Sequence, residues 1–384
     1  MILNAILIAS VIIYCAGLFW FLAGLKRDVP CLHDDKPMVS VVVAARNEAR
    51  TIGRLLADLH RQTYPSDKME IIIAEDRSDD NTADVVTSWI ERDSRIRLVP
   101  VRSEEPGLSA KKNAMQTGID ASGGDIILTT DADCRVRPGW VASMVACFGP
   151  DVGMVIGFSQ IMTGTGRLRL FEKIQALDFL ALMTSARGSA NQERAQAASG
   201  QNLAYRREAF HDAGGFRPIG HRISGDDVLL LQLLRRKTRW KVRFAAGEES
   251  FNQSPPEPDL RSYLNQRTRW ASNGIYQFKL NKWFFLYVLN TYVINLLILV
   301  TVPWLVISGI FPAVTLFCYG LKGLCEWMLL SRGCDLFRRT DLLTAFPAWC
   351  LFQVPYVVFV GLVGTVGRFS WKGRKHGLIG RRSS

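Results

Sequence analysis

Two long apolar blocks dominate this chain and limit what it can fold into. Residues 1–25 contain no charged side chain, and a second block covers residues 283–367, interrupted by the basic stretch 331–341. An apolar run of about 20 residues is long enough to cross the hydrocarbon core of a bilayer as a helix. We therefore expect an N-terminal transmembrane anchor over residues 1–26 and C-terminal transmembrane helices over residues 283–367.

The second block divides into three apolar segments, over residues 284–307, 311–330 and 344–366. By the positive-inside rule, Lys26 and Arg27 place the domain that follows them in the cytoplasm. The basic stretch 331–341 and the basic tail 368–384 also favour the cytoplasmic side, and a single crossing between them cannot satisfy both. The number of spans therefore stays open at three to five, with a re-entrant segment as the alternative to a full crossing.

Residues 36–282 have the composition of one soluble domain. The chain carries 47 Lys and Arg against 35 Asp and Glu, a net charge of +12. Because the basic residues gather beside the apolar blocks and no nucleic-acid motif accompanies them, we expect no nucleic-acid partner. The eight Cys residues show no metal-ligand spacing, so the sequence predicts neither a zinc site nor a disulfide framework.

Inside this domain, short β-branched runs alternate with segments of helical spacing. Strands are predicted over residues 39–45, 70–74, 95–101 and 125–130, and helices over residues 48–62, 79–91 and 110–121. Strands separated by helices indicate βαβ units, and hence an α/β fold with a Rossmann-like, mostly parallel sheet. Ligands of such sheets bind beyond the carboxyl ends of the strands.

Polar side chains follow three of these strands. They are Asn47 and Glu48 after the first strand, Glu75 and Asp76 at the end of the second, and Asp131 and Asp133 after the fourth. So many carboxylates in one crevice would repel each other, and a divalent cation is their natural counter-charge. Carboxylate oxygens suit Mg²⁺ or Mn²⁺, which would bridge phosphates. Lys111, at the start of a predicted helix, adds positive charge for an anion.

Four segments together resemble the nucleotide-binding half of the family 2 glycosyltransferases. They are VSVVVAARNE, IIIAEDRSDDNT, GLSAKKNAMQTGI and DIILTTDADC, in that order. The resemblance implies a GT-A fold, a nucleotide-diphosphate sugar as donor, with a UDP-sugar expected, and a divalent metal. It also implies that Asp76 contacts the nucleobase, that Asn47 and Glu48 line the nucleotide pocket, and that Asp131 and Asp133 form the DxD metal and diphosphate site. Glu75 stands where the family often has the first Asp of a pair.

The second half of the domain carries another acidic motif. Gly225, Asp226 and Asp227 resemble the family's ED motif, which implies that Asp227 is the general base, with Asp226 standing where Glu is usual. An inverting transfer needs such a carboxylate to take the proton from the attacking hydroxyl. The alternative is that residues 224–227 cap the predicted helix 228–236, and the two roles are compatible.

Residues 266–270 match QxxRW, which resembles the signature of membrane-bound members such as cellulose and hyaluronan synthases and ceramide glucosyltransferases. Gln266, Arg269 and Trp270 at this spacing would hold a diphosphate and stack on a sugar. The alternative is an interfacial helix near residues 258–275, with Arg and Trp at the headgroup level. The helical stretch 168–186 is interpreted as core packing, in preference to a surface helix that guides a lipid acceptor.

These observations predict an inverting, metal-dependent glycosyltransferase in a bacterial cytoplasmic membrane, with its catalytic domain in the cytoplasm and a membrane lipid as sugar acceptor. Polysaccharide synthesis ranks second, because few spans leave little room for a polymer channel. A catalytically inactive protein that binds sugar nucleotides is disfavoured because DAD, GDD and QRTRW are all present. A transporter is disfavoured because we expect no charges within the spans.

Overall fold

The computed structural model describes residues 2–27, 29–310, 312–366, 369–371 and 374–376. Its helices are α1 (Ile2–Leu25), α2 (Ile52–His60), α3 (Thr82–Ile90), α4 (Ala110–Asp120), α5 (Trp140–Val145), α6 (Leu170–Ala190), α7 (Arg207–Asp212), α8 (Val228–Lys237), α9 (Leu260–Ala271), α10 (Gly274–Leu280), α11 (Lys282–Ile307), α12 (Ala313–Leu336) and α13 (Phe346–Val366). Its strands are β1 (Val39–Ala45), β2 (Met69–Glu75), β3 (Ile96–Pro100), β4 (Ile126–Thr129), β5 (Arg135–Val136), β6 (Val152–Ile156), β7 (Ser159–Ile161), β8 (Leu203–Arg206), β9 (Lys241–Phe244), β10 (Asn252–Ser254), β11 (Phe369–Trp371) and β12 (Arg374–His376). Most of the predicted basic tail, residues 368–384, lies outside the described residues.

The chain forms two compact units, which we describe separately. The sheet unit contains residues 28–167 and 190–256. The helical unit contains residues 1–27, 168–189 and 257–384. In this division α6 and α9 belong to the helical unit, together with the long apolar helices.

A seven-stranded sheet with the order β3-β2-β1-β4-β8-β6-β9 forms the centre of the sheet unit. The first four strands pair in parallel, and β8 is antiparallel to both of its neighbours. The β-branched sequence of β1 explains its central place, because such a run is buried on both faces of a parallel sheet. The predicted α/β, mostly parallel architecture is confirmed.

The strand register brings the predicted polar residues to one edge. Ala45 at the end of β1 pairs with Glu75 at the end of β2, and Val42 pairs with Thr129 at the end of β4. The carboxyl ends of β1, β2 and β4 therefore lie side by side. The residues that follow these strands share one edge of the sheet, where ligands of open α/β sheets bind.

A disulfide joins Cys31 and Cys147 in the sheet unit, although 116 residues separate them in the chain. The expectation that the sequence contains no disulfide is wrong. A backbone hydrogen bond next to the disulfide brings the two segments together. The His33 N–H donates to the Ala146 carbonyl at 3.0 Å and holds residues 31–33 against the end of α5. The proximity of two cysteines so far apart in the sequence could not be predicted from cysteine spacing.

Four helices of the helical unit are long and apolar enough to cross a membrane. They cover Ile2–Leu25, Lys282–Ile307, Ala313–Leu336 and Thr340–Thr365. The predicted arrangement of one N-terminal and about three C-terminal membrane helices is confirmed, and the last of these helices is long enough to cross a membrane. The protein is therefore membrane-associated.

One span contains two charged side chains, contrary to the expectation from the sequence. Lys322 and Glu326 lie one turn apart on α12, with 2.7 Å between Nζ and Oε1, and both are buried. Tyr14 Oη donates to Glu326 Oε1 at 2.7 Å, and Lys322 donates to Gln353 Oε1. The expectation that the spans lack charges is wrong. The pair is tolerated in an apolar bundle because the two charges neutralise each other and α1 and α13 supply hydrogen bonds.

Candidate active site

The ends of β1 and β2 are joined by a network of short hydrogen bonds. Asn47 accepts from the Asp79 backbone N–H at 2.8 Å, and its own N–H donates to Ser78 Oγ at 3.0 Å. Glu75 accepts from the backbone N–H groups of Ser78 and Arg77 at 2.6 and 3.2 Å. Glu75 therefore holds the turn that follows β2.

Glu48 lies at the entrance of α2. Its backbone N–H donates to Thr82 Oγ1 at 2.8 Å, and its carboxylate accepts from Thr51 Oγ1 at 2.7 Å. Because Thr51 precedes the first residue of α2, Glu48 links the end of β1 to the start of that helix. Asn47 and Glu48, both predicted for the nucleotide pocket, thus hold the strand end in position.

Asp76 is nearly buried at the end of β2, with its side chain 6% exposed. Arg77 donates to its Oδ1 from Nε at 3.0 Å and from Nη2 at 2.9 Å. Arg46 Nη1 lies 3.7 Å from the other carboxylate oxygen. Neither arginine is among the site residues predicted from the sequence, although both stand in the segments VSVVVAARNE and IIIAEDRSDDNT.

Lys111 bridges the two acidic motifs that the sequence places far apart. Its Nζ lies 2.9 Å from Asp131 Oδ1 and 3.0 Å from Asp226 Oδ2. Burial would lower the pKa of Lys111, but the charges of Asp131 and Asp226 outweigh it and raise that pKa. The structure therefore brings Lys111, Asp131 and Asp226 together into one cluster.

The two neighbouring carboxylates of the GDD motif differ in protonation behaviour. Burial disfavours the charge of Asp226, but Lys111 and Lys112 more than compensate and lower its pKa to about 2. Burial and the adjacent charge of Asp226 raise the pKa of Asp227. A higher pKa makes a carboxylate a stronger base, so Asp227 suits proton transfer and Asp226 suits a fixed negative charge.

Backbone groups fix the orientation of Asp227. Its Oδ2 accepts from the Gly200 N–H at 3.0 Å, and its Oδ1 accepts from the Val228 N–H at 2.6 Å, at the start of α8. Gly225, with φ at +89°, turns the chain into this position, a conformation that favours glycine. Asp227 therefore caps α8. This capping role is the alternative that the sequence analysis considered compatible with a role as general base.

Lys112 plays a structural part next to this cluster. Its ammonium group is buried and donates to the carbonyl oxygens of Arg222 and Ser224 at 2.6 and 3.0 Å. Burial lowers its pKa to about 8. Lys112 thus holds the loop that leads into Asp226.

Asp131 and Asp133 follow β4, two residues apart and both partly exposed. Among the described residues, no group of three or more His, Cys, Asp or Glu side chains is arranged to hold a metal ion. Two carboxylates nevertheless fit Mg²⁺ or Mn²⁺, because such hard cations take one or two protein carboxylates and complete their coordination with water and substrate phosphates. The donor set fits a metal that arrives with a diphosphate.

The predicted residues Gln266, Arg269 and Trp270 lie on α9 of the helical unit. Gln266 Nε2 donates to Glu257 Oε1 at 2.5 Å, and burial raises the pKa of that carboxyl. The Trp270 ring lies 6.2 Å from that of Phe179 on α6. Asp259 caps α9 by accepting from the Ser262 N–H at 2.7 Å.

The most buried cation of this motif is one that the sequence analysis did not select. Arg267 is 4% exposed, with Nη2 at 2.9 Å from Asp178 Oδ2 on α6, and its guanidinium carbon lies 4.1 Å from the Trp270 ring centroid. Tyr263 Oη donates to the same Asp178 oxygen at 2.9 Å. The pattern QxxRW leaves position 267 unspecified, so its contact with the partly exposed Asp178 on another helix cannot be predicted from the motif.

Known proteins resemble this chain in sequence. A probable glycosyltransferase, YdaM of Bacillus subtilis (strain 168), is 27% identical over 257 residues, 65% of this chain and 59% of the relative. The beta-monoglucosyldiacylglycerol synthase of Trichormus variabilis (strain ATCC 29413 / PCC 7937) is 25% identical over 257 residues, 64% of this chain and 51% of the relative. The chain thus spans little more than half the length of these curated relatives.

Solved structures resemble the fold as well. The mannosyltransferase PcManGT from Pyrobaculum calidifontis, in complex with GDP-Man and Mn²⁺, matches 94% of this chain and 98% of its own with a TM-score of 0.58 and 18% identity. This likeness and the sheet topology confirm the predicted GT-A fold. The model of the family described as glycosyl transferase family 21 matches residues 3–379. The chain therefore belongs to glycosyl transferase family 21, which confirms the resemblance to membrane-anchored glycosyltransferases.

Proposed function

We propose that this protein is an inverting, metal-dependent glycosyltransferase that moves a sugar from a UDP-sugar to a membrane lipid. The observation that carries the proposal is the bridge from Lys111 to Asp131 and Asp226 at 2.9 and 3.0 Å. This bridge joins the DxD and GDD motifs beyond the sheet edge where the strand ends meet. Family membership supports the same activity.

Asp227 is the proposed general base. In a single displacement, the acceptor hydroxyl oxygen forms a bond to the anomeric carbon while the bond from that carbon to the diphosphate oxygen breaks. Asp227 takes the hydroxyl proton, and the bonding electron pair leaves with the diphosphate. Its raised pKa suits this role, and the Gly200 and Val228 N–H groups hold its orientation.

The leaving diphosphate carries negative charge that the site has to stabilise. Lys111 supplies a fixed ammonium group beside Asp131. A divalent cation bound by Asp131 and Asp133 would add electrostatic stabilisation of the diphosphate. The PcManGT structure was solved with Mn²⁺, which supports Mn²⁺ or Mg²⁺ as the ion. Charge stabilisation of this kind is usually the largest contribution to such a reaction.

A lipid acceptor is favoured by the helices and by a relative. Four helices of this chain are long and apolar enough to cross a membrane, and a lipid reaches a membrane enzyme from the bilayer plane. The matching synthase of Trichormus variabilis is named for a glucosyldiacylglycerol product. Lys26 and Arg27 favour a cytoplasmic location of the sheet unit, in the cytoplasmic membrane of a bacterium. Gln266, Arg269 and Trp270 are assigned to the donor diphosphate and sugar by resemblance alone.

The test is sugar transfer by the full-length protein in lipid nanodiscs that contain diacylglycerol and a lipid extract. A panel of UDP- and GDP-sugars labelled in the sugar is supplied with Mn²⁺ or Mg²⁺, and the organic phase is analysed for product. Label in the organic phase that disappears in Asp133→Ala and Asp227→Asn supports the proposal. Label in a polar product of high mass indicates a polysaccharide synthase instead, and nucleotide binding without turnover indicates an inactive sugar-nucleotide-binding protein.

A further inference from the structure

The small three-stranded sheet of the sheet unit fixes one buried asparagine. The strands of this sheet have the order β5-β10-β7. Asn252, the first residue of β10, pairs with Val136 on β5 and with Ser159 on β7. Its backbone N–H donates to the Phe158 carbonyl at 3.1 Å. The backbone of Asn252 is therefore held from two sides, and its side chain is fully buried.

The Asn252 amide joins two segments that the candidate active site uses. Nδ2 donates to Thr130 Oγ1 at 3.2 Å, and it also donates to the Gln201 carbonyl oxygen. Thr130 directly precedes Asp131 of the DxD motif. Gln201 directly follows Gly200, whose N–H orients the proposed base. One side-chain amide therefore connects the DxD segment with the segment that holds the GDD motif in place.

Gly200 lies directly against the carboxylates of the GDD motif. Its N–H donates to Asp227 Oδ2 at 3.0 Å, and a Cβ atom at this position would lie 3.1 Å from Asp226 Oδ2. Asn202 holds the same segment further along, because its amide donates to two backbone carbonyls at 2.9 and 2.8 Å. A shift of this segment would therefore change the contact between Gly200 and the proposed base.

The other polar atom of the Asn252 amide indicates that packing is not the reason for this residue. Within the part of the chain that the structure describes, Oδ1 is buried and has no hydrogen-bond partner. A buried acceptor without a partner lowers stability, and it calls for a reason beyond packing. The two hydrogen bonds that Nδ2 donates are what the asparagine contributes at this position.

We propose that Asn252 is a positioning residue for sugar transfer, which aligns the proposed base with the DxD segment. Through Gln201 and Gly200 it fixes the orientation of Asp227. Through Thr130 it holds the segment that carries the DxD motif. Alignment matters because a misplacement of about 1 Å can lower the rate of a reaction by about 100-fold. The inference rests on the proposed function, in which Asp227 is the general base, and adds the residue that keeps this base in place.

The test is sugar transfer by the full-length protein in nanodiscs with Mn²⁺, measured across a pH series with the UDP-sugar that the wild type uses. Binding of UDP is measured by calorimetry in parallel. Asn252→Leu keeps approximately the size of the side chain and removes both hydrogen bonds. Gln62→Leu is the matched control, because the buried Gln62 amide bonds to Asp58, Arg137 and Val141, outside the acidic motifs.

Asn252→Leu should lower kcat by about tenfold and leave the affinity for UDP within about threefold of the wild type. Gln62→Leu should lower the melting temperature, and its kcat should stay within about twofold of the wild type. A merely structural asparagine would behave like this control.

The pH profile separates positioning of the base from general stability. Asp226, Lys111 and Lys112 act on the charge of Asp227, and Asn252→Leu leaves all three in place. The hydrogen bond from the Gly200 N–H lowers the pKa of Asp227. When this bond is weakened the pKa rises, and the base is protonated up to a higher pH. The acidic limb of the activity profile should therefore move upward, by up to about one pH unit, in Asn252→Leu but not in the control.

An unchanged kcat and acidic limb in Asn252→Leu would overturn the inference, and so would equal changes in Gln62→Leu. Loss of UDP binding with an unshifted limb would also overturn it, because the amide would then support the DxD segment alone. If Asn252→Leu does not fold, Thr130→Val decides, since it keeps the shape of the side chain and removes the hydroxyl that Asn252 contacts. A lower kcat with retained UDP binding in that variant supports the inference, and wild-type kcat overturns it.

The outcomes separate this inference from the proposed function. Sugar transfer by the wild type together with an unaffected Asn252→Leu would refute the inference and leave the proposed function intact. Absence of transfer by the wild type with every donor would refute the proposed function, and the inference with it.

Discussion

Replacing Lys111 by Met removes the ammonium group that joins the DxD and GDD motifs. The wild-type ammonium lies 2.9 Å from Asp131 and 3.0 Å from Asp226. Met keeps much of the length of the side chain without its charge. The variant therefore leaves two carboxylates next to each other without their shared counter-charge, and we expect the site to lose both its order and its affinity for the diphosphate.

The size of the effect follows from these distances. Two unit charges about 3 Å apart interact by roughly 5–6 kcal/mol at an effective dielectric constant of about 20, and desolvation of the ammonium offsets part of this attraction. If the variant loses about 3–4 kcal/mol of transition-state stabilisation, kcat/KM should decrease by roughly 100- to 1,000-fold.

Removal of Lys111 should also shift the pH dependence. Lys111 lowers the pKa of both Asp226 and Asp227. Without it both pKa values rise, and Asp227, which has to be deprotonated to act as a base, is protonated up to a higher pH. The acidic limb of the pH–activity profile should therefore lie above the ordinary Asp pKa of 3.8 in the wild type and move further upward in Lys111→Met.

The assay is the initial rate of sugar transfer across a pH series, with donor binding measured in parallel. Lys241→Met is the matched control, because it removes a surface ammonium 2.7 Å from Asp151 in the same unit; its rate should stay within about twofold of the wild type, since exposed ion pairs contribute little. Wild-type kcat/KM and an unshifted acidic limb in Lys111→Met would refute the role given to the bridge.

Three further changes test other parts of the structure. Asp227→Asn keeps an acceptor for the helix cap but cannot take a proton, so we expect kcat to fall by roughly 100- to 10,000-fold with little change in UDP binding; loss of folding instead would assign the residue to the cap alone. Arg267→Met leaves the Asp178 carboxylate without its buried partner. The change should lower the free energy of unfolding by about 3–5 kcal/mol and lower the melting temperature in detergent. Arg261→Met, on the exposed side of the same helix, should leave both quantities unchanged. Reduction of the Cys31–Cys147 disulfide should destabilise the sheet unit by up to about 4–5 kcal/mol, and an unchanged denaturant midpoint would show that the cross-link is absent.

The sheet could be predicted from the sequence because its signals are local. The β-branched run Val39–Ala45 indicates a buried strand by itself, and the polar residues that follow each parallel strand have to share an edge. The expected strands at residues 70–74 and 125–130 match β2 and β4 within one residue at each end. Local patterns therefore suffice for the fold class and for the edge that holds the candidate site.

The partners of these residues could not be predicted, because they depend on long-range packing. Lys111 was selected as a source of positive charge, but its two contacts join segments about 100 residues apart in the chain. Lys322 and Glu326 were overlooked because hydropathy averages a span, whereas their spacing of four residues pairs them on one face of α12. Hydropathy and motif spacing identify segments, and packing decides which side chains meet.

The anomeric configuration of the transferred sugar tests the account most directly. The glycolipid made by the wild-type protein from an α-linked UDP-sugar is purified, and the coupling constant of its anomeric proton is measured by NMR. A single displacement with Asp227 as the base predicts a β-linked product, because the hydroxyl attacks from the face opposite the diphosphate. An α-linked product would contradict the account, since retention of configuration needs a mechanism in which Asp227 is not the base of a single displacement.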